Sequence, residues 1–506
     1  MASSSYPDVL AWIQTLPPIS QWKQNPMSIT ILSSSSSSTS TTSSPSLKLS
    51  VWKNHHSPTT VFFSISTDLT LTISLWSSKP INTNSNDPLR LLGSESISFL
   101  LTNFIEDILS YGPYKCSSRS SSVKIPKLDS LPNFKAIFNL SFLTLTLLVC
   151  IYEAPPEIRS QSLATLKNQL IDPQMRKASR SLMRMMGSNL EEQWMRSINL
   201  AITNWIVELQ AAAHRSFRTP SPLFSCSFSA LGLWKVQLYC PVIAMDMESS
   251  SGSSADEKLL FSLKYQQLEG VMQFNYEVVE QEKWVDVTVY TDNIRCDIYR
   301  LVNETLMGER GVGSEEKHFP SRIAVHITPI LQTNIISVSV SSSSANPTRE
   351  IELEKGIETS FDPPNSLGLK LSAGETVSMS LKPWKFEGSV YAYSAVFSWF
   401  LHDNMDGREV VSSKPSALAL INPRAWFKDR YRTAYRPFTR QGGVVFAGSE
   451  YGKSITWKVD KAAKGKTMEF EIKGWIWLTY WPNKYRTFYS ETRRLEFRET
   501  VQLTIA

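Results

Sequence analysis

Ala447-Gly-Ser-Glu-Tyr-Gly-Lys-Ser454 has the spacing of a relaxed phosphate-binding loop, in which backbone amides and a lysine cradle a polyphosphate. Such a loop must open a helix, because the amides at a helix N-terminus hold the phosphate. The next residues, Ser454-Ile-Thr-Trp-Lys-Val-Asp460, alternate apolar and polar as a strand does, and Glu450 would sit among the phosphates. The pattern therefore predicts a β-hairpin turning at Tyr451-Gly452. His402-Asp-Asn-Met-Asp-Gly407 offers oxygen ligands, but a calcium loop aligned on Gly407 would have His402 first and Ser413 twelfth, where acidic ligands are required. Asp406-Gly407 reads instead as a turn between Phe397–Leu401 and Arg408–Val411.

The histidines, His55, His56, His214, His318, His326 and His402, form no zinc-protease spacing. His55 and His56 are adjacent, and adjacent residues do not share a face in a helix or a strand. Neither a nucleophile elbow of the G-x-S-x-G type nor a dinucleotide G-x-G-x-x-G occurs. No cofactor or metal is expected. Cys116, Cys150, Cys226, Cys240 and Cys296 are odd in number, widely spaced and free of C-x-x-C pairs, which suits reduced thiols in an intracellular protein.

The C-terminal stretch is the most distinctive. Residues 424–506 carry 17 Lys and Arg against 8 Asp and Glu, while the whole chain is only +6, so the remainder is slightly acidic. Aromatic residues are interleaved with these cations, most densely in Arg430-Tyr-Arg-Thr-Ala-Tyr-Arg-Pro-Phe-Thr-Arg440. Cations hold phosphate and aromatic faces stack on bases or sugars, the two ingredients of single-strand binding on β-surfaces. The same residue types also make cation–π contacts inside ordinary sheets. In Lys473-Gly-Trp-Ile-Trp-Leu-Thr-Tyr480 the aromatics can equally form the core face of a strand. The residues expected to touch a partner are Arg430, Arg432, Tyr435, Arg436, Lys484, Arg486, Arg493 and Arg494.

Positioning these residues requires elements, and composition limits which. Hydrophobic residues at 42% and aromatics at 11% of 506 residues exclude a wholly disordered chain. Strand patterns at 28–32, 47–52, 60–65 and 69–76 form a β-meander, with the serine tract from Ser33 to Ser44 as a loop, or a phosphorylated regulatory loop, between the first two. Helical patterns occupy 89–110 and 134–213, with breaks at Pro155-Pro156 and Pro173. Ala136–Tyr152 is a 17-residue run without charge, shorter than a membrane span and better suited to a buried helix. Met183, Met185 and Met186 read as core filler, with a Met-rich peptide groove as the alternative. From about 223 the period becomes two, with strands expected at 227–238, 259–265, 271–279, 284–290, 295–302, 321–327, 335–341, 350–354, 376–381, 390–401, 408–412, 443–447, 454–459, 468–478, 486–489 and 494–505. So many strands without intervening helices predict antiparallel sandwiches or barrels, in two packed β-modules.

The serine tract together with Gly474-Trp-Ile-Trp-Leu-Thr-Tyr-Trp-Pro-Asn-Lys-Tyr-Arg-Thr-Phe-Tyr-Ser-Glu-Thr-Arg-Arg-Leu-Glu-Phe-Arg-Glu resembles a flowering-plant protein family to which no activity is attached. The resemblance covers roughly 223–506 and implies an intracellular plant protein; it supplies no catalytic residue.

The expected architecture is an α+β chain: a β-meander over 1–88, a helical segment over 89–215, an antiparallel β-module over 223–420 and a basic, aromatic-rich β segment over 421–506 packed on or continuing that module. Its expected role is non-enzymatic binding of an acidic partner (protein, nucleic acid or anionic lipid), with no transmembrane span. The alternatives are an enzyme whose site is assembled in space, such as a carbohydrate hydrolase, and a peripheral membrane protein. The expected compartment is cytoplasm or nucleus, or a plastid if the Ser-rich, acid-poor start is a transit peptide; Val9–Ile13 can alternatively open a short helix on the core.

Overall fold

The computed structural model describes residues 7–22, 25–33, 46–54, 59–68, 72–83, 90–112, 133–155, 158–159, 173–211, 224–248, 263–302, 317–340, 384–401, 443–448, 454–481 and 491–505, with a few positions between them. Helix α1 (Val9–Thr15) begins where the Asp8 carboxylate accepts a hydrogen bond from the Ala11 amide, and it buries Val9, Leu10 and Ile13. It is part of the core, as the short-helix alternative expects. Strands β1 (Met27–Ser33), β2 (Ser46–Lys53), β3 (Thr60–Asp68) and β4 (Thr72–Ser77) pair in that order as the expected meander, and β5 (Ile81–Asn82) pairs the start of β3. The serine tract lies between β1 and β2, outside the described residues.

Helices α2 (Ser94–Ser110) and α3 (Phe134–Glu153) meet through Phe104, whose ring lies 5.3 Å from Phe138 and 5.4 Å from Phe142. α3 is the uncharged run. By length and hydropathy it would suffice to cross a membrane, yet 89% of its apolar window is buried inside the molecule. It stops at Glu153, just before the prolines. Pro173 does not break a helix; it is the first residue of α4 (Pro173–Met186), where a missing N–H costs nothing. Gly187, at φ +76°, joins α4 to α5 (Ser188–Ala211). Met183 and Met186 are buried in the core, as filler is.

The β-rich half is a two-sheet sandwich, in which strands of residues 421–506 continue the sheets begun by residues 223–420. One sheet contains β6 (Phe224–Ala230), β7 (Leu233–Pro241), β9 (Gln266–Glu280), β10 (Trp284–Arg300), β12 (Ile335–Val340), β17 (Gly443–Ala447) and β18 (Ser454–Asp460). Its order is β12-β18-β10-β9-β7-β6, with β17 also on β10. The other contains β8 (Asp246–Met247), β11 (Lys317–Pro329), β15 (Trp384–Tyr391), β16 (Ser394–Leu401), β19 (Thr467–Trp481) and β20 (Thr492–Thr504), in the order β15-β16-β11-β19-β20-β8. β13 (Leu353–Glu354) and β14 (Thr376–Val377) pair only with each other among the described residues. Aromatic rings close the space between the sheets: Trp234 and Trp457 meet Phe470, Phe274 meets Phe397, and Phe446 meets Phe386.

Several expected strands come out differently. Residues 227–238 are a hairpin, because Leu231-Gly232 turns with Gly232 at φ +75°. Residues 390–401 likewise turn at Ala392-Tyr393, so β15 and β16 replace one strand. Conversely, 284–290 and 295–302 are one strand: a bulge between Thr291 and Asn293 moves the buried set from Val285, Val287 and Val289 to Ile294, Cys296 and Ile298. Within 259–265, residues 263–264 are helical rather than extended. Ala447–Ser454 does not join the two arms of a hairpin. β17 and β18 run in the same direction along β10, with Ala447 opposite Asn293 and Ser454 opposite Tyr290. From Ser454 the chain is a strand, not a helix, so the phosphate-loop resemblance ends there. The turn expected at Asp406-Gly407 lies outside the described residues.

Candidate functional site

Strand β19 decides which face the tryptophans occupy. Ile476 and Leu478 point between the sheets and are fully buried, while Trp475 and Trp477 point the other way and are only half-buried. The tryptophans of this strand therefore line the outer face of the second sheet, not the core. Gly474 faces inward, opposite Phe497 of β20, and the Phe497 ring occupies the space that a Cβ on Gly474 would need.

Pairing register places one row of residues across five strands. Lys385 of β15 is opposite Phe400 of β16, which is opposite Arg322 of β11, then Trp477 of β19, then Arg494 of β20. The Arg322 guanidinium carbon lies 4.8 Å from the Phe400 ring centre and 4.7 Å from that of Trp477. A second row, one residue pair along the strands, holds Glu387, Ser398, Ala324, Trp475 and Glu496. A third holds Ser389, Val396, His326, Lys473 and Arg498. His326 meets the Trp475 ring edge-on at 4.9 Å, and Lys473 lies 5.0 Å above the same ring.

Three carboxylates on this face are engaged by cations. Glu496 holds Lys473 at 3.0 Å, Glu471 holds Arg498 at 3.3 Å, and Glu387 holds Lys385 at 2.5 Å. The Lys473 hydrogen bond keeps the Glu496 carboxyl below the usual range. His326 is pushed below its ordinary value by burial, and then by Lys473. Arg322 and Arg494 are exposed and make no ion pair within 4 Å among the described residues, although Arg494 stands opposite Asp246 of β8 and acts on Glu496 through space. Trp477 donates its indole N–H to Glu248 at 2.8 Å, at the edge of the sheet.

Of the residues expected to contact a partner, Arg494 stands on this face. Arg493, its neighbour, points inward: it is buried, pairs with Glu491 and donates to the carbonyls of Ile243 and Met245, the latter at 2.9 Å. Its guanidinium is committed to the fold, which corrects the expectation that it meets a partner. Arg430, Arg432, Tyr435, Arg436, Lys484 and Arg486 lie outside the described residues. Nothing in the sequence marks Arg322, Phe400 and Lys385, because they come from strands far from the basic stretch.

Arg493 belongs to a closed polar cluster. His318 is fully buried; its backbone N–H donates to Gln266 Oε1 at 3.0 Å, and its Nε2 faces Glu491 Oε1 at 3.7 Å. Burial pushes the His318 imidazole down, partly offset by Glu491. Burial also works against the Glu491 charge, but His318 and Arg493 outweigh it and hold that carboxyl down to about 2. The cluster resembles an acid–base pair in composition, yet its groups are sealed from solvent, and sealed groups do not reach a substrate. No grouping of His, Cys, Asp and Glu fit for a metal occurs among the described residues.

No family model matches the chain, and no curated protein matches it. Among solved structures, the chain is similar to one titled a pore forming protein, at 12% identity and a TM-score of 0.20, over 55% of this chain and 94% of that one. It is also similar to the Clostridium perfringens NetB toxin in the membrane-inserted form, at 11% identity and a TM-score of 0.18, over 55% of this chain and 92% of that one. Likeness at that level carries no functional argument.

Proposed function

We propose that this chain is a non-enzymatic binding protein that presents the outer face of its β11–β19–β20 sheet to a polyanionic partner. One observation carries the reading: Arg322 and Arg494, both exposed and in no close ion pair among the described residues, flank Trp477 in a single row. A solvent-facing sheet normally pairs its cations with acids across strands. Here two such pairs are made, Lys473–Glu496 and Arg498–Glu471, and the row of Trp477 keeps Arg322 and Arg494 outside them.

The test is retention of the full chain on immobilised heparin, used as a generic polyanion. The double variant Arg322→Glu and Arg494→Glu should elute at clearly lower salt than the unaltered chain, because fewer counterions are released on binding. Equal elution would remove the basis of the proposal. The enzyme alternative gains no support from the sealed His318–Glu491 pair.

A further inference from the structure

The cations alone would serve any polyanion, but the rings between them narrow the partner. We infer that this sheet face takes single-stranded nucleic acid, with bases stacking on Trp477, Trp475 and Phe400 and phosphates held by Arg322 and Arg494. This rests on the polyanion reading and sharpens it.

Three features favour that partner over an acidic peptide or a lipid surface. First, the aromatics are not an incidental fringe. Phe400 and Trp477 flank Arg322 in one row, and Trp475 stands in the next row, about 7 Å along the strand. An acidic peptide would need the cations and leave those rings without a role. Second, the rings are half-buried among their neighbours on the sheet face and do not stand clear of it as wedges would. Insertion into a bilayer needs apolar groups that project beyond their surroundings. Third, the guanidinium of Arg322 already lies against two rings, the arrangement in which a cation and a stacked base share one aromatic surface. Stacking tolerates any base because every base has a π-face, so binding is expected to be weakly dependent on sequence.

The experiment uses the full chain and a fluorescein-labelled fifteen-nucleotide single-stranded DNA, read by anisotropy, with polyglutamate and anionic phosphatidylserine vesicles as competitors. Trp477→Ala should weaken binding about tenfold, and Trp477→Phe, which keeps a ring, should recover most of it. Arg322→Gln and Arg494→Gln should each lower the slope of log K against log salt by about 0.7, the share of one phosphate on a single strand. Lys458→Gln, whose lysine covers Trp284 on the opposite sheet, should change nothing. Circular dichroism of each variant separates lost binding from lost folding. If the oligonucleotide binds and Trp477→Ala leaves affinity unchanged while Arg322→Gln reduces it, stacking is refuted and only the polyanion reading survives. Capture of polyglutamate or vesicles without capture of the oligonucleotide has the same meaning. Failure of all three probes, and of heparin, overturns both.

Discussion

The two sheets of the sandwich use the same chemical vocabulary on their outer faces to opposite ends. On the first, α5 lies against β7, β9 and β10, and Arg196 reaches from the helix to Glu269 at 2.9 Å while its guanidinium sits 3.5 Å from the Tyr299 ring centre. Asn199 donates to Gln267 at 2.8 Å, and Tyr239 donates to the buried Glu191 at 2.9 Å. Arginine, ring and carboxylate are all present, and the arginine is satisfied by them. On the second sheet no helix among the described residues intervenes; Arg322 has its rings and no carboxylate there. A cation–π contact beneath a helix docks that helix. The same contact in the open leaves guanidinium N–H donors to meet an acceptor from outside.

Within one strand the contrast is between Arg493 and Arg494, and it can be tested from the largest effect downward. Arg493→Ala leaves Glu491 charged and buried beside His318, and should cost about 3–5 kcal/mol in urea unfolding while leaving the outer face intact. A loss below about 1 kcal/mol would mean that the cluster is wetter than its burial implies. Acid should act on the same cluster. Glu491 is depressed to about 2 in the folded chain, so its contribution is present above the unfolded carboxylate value and is lost as pH falls toward 2. That loss is on the order of 3 kcal/mol. His318 is depressed as a base, so it too opposes folding as pH falls below its ordinary value near 6.5. Thermal melts should therefore fall as pH drops from about 4.5 toward 2, and Glu491→Gln should flatten that acid limb.

Gly474→Ala is expected to cost about 1–3 kcal/mol, because its Cβ would enter the Phe497 ring and come within 2.9 Å of the Ala324 carbonyl oxygen. Gly474→Ala combined with Phe497→Leu should recover part of the loss. Arg494→Ala is the smallest change in stability, within about 0.5 kcal/mol. Its effect should appear in polyanion retention instead, which would complete the separation of the two neighbouring arginines.

The architecture was largely legible because apolar alternation is strong in β2, β3, β11, β19 and β20, and the uncharged run of α3 admits few other fates. Turns were less so. Leu231-Gly232 and Ala392-Tyr393 lack the Asn-Gly or Asp-Gly signature, and the β10 bulge inverts the alternation, which looks like a strand ending. For the candidate face the limit is different. Alternation along β19 shows that Trp475 and Trp477 share a side with each other and not with Ile476. With large apolar residues on both sides, nothing local says which side meets the other sheet. The same ambiguity groups Arg493 with Arg494 as partner contacts, although adjacent strand residues must point opposite ways. Arg322 could join Trp477 only through pairing between strands far apart in sequence.

The order in which the sandwich receives its strands has a bearing on how the chain is made. β11 acquires its neighbour β19 only after well over a hundred further residues, and β8 waits longer still for β20. At ~5–20 residues per second of synthesis, β7, β9 and β10 would stand for on the order of ten seconds with Trp234, Phe274 and Val287 uncovered by the second sheet. The β1–β4 meander and α1–α5, whose contacts are mostly among themselves, can close well before that. Nascent chains of this protein are therefore expected to depend on chaperone shelter for the interval between β10 and β19, and slowing synthesis within residues 330–460 should raise aggregation more than slowing it within the first hundred.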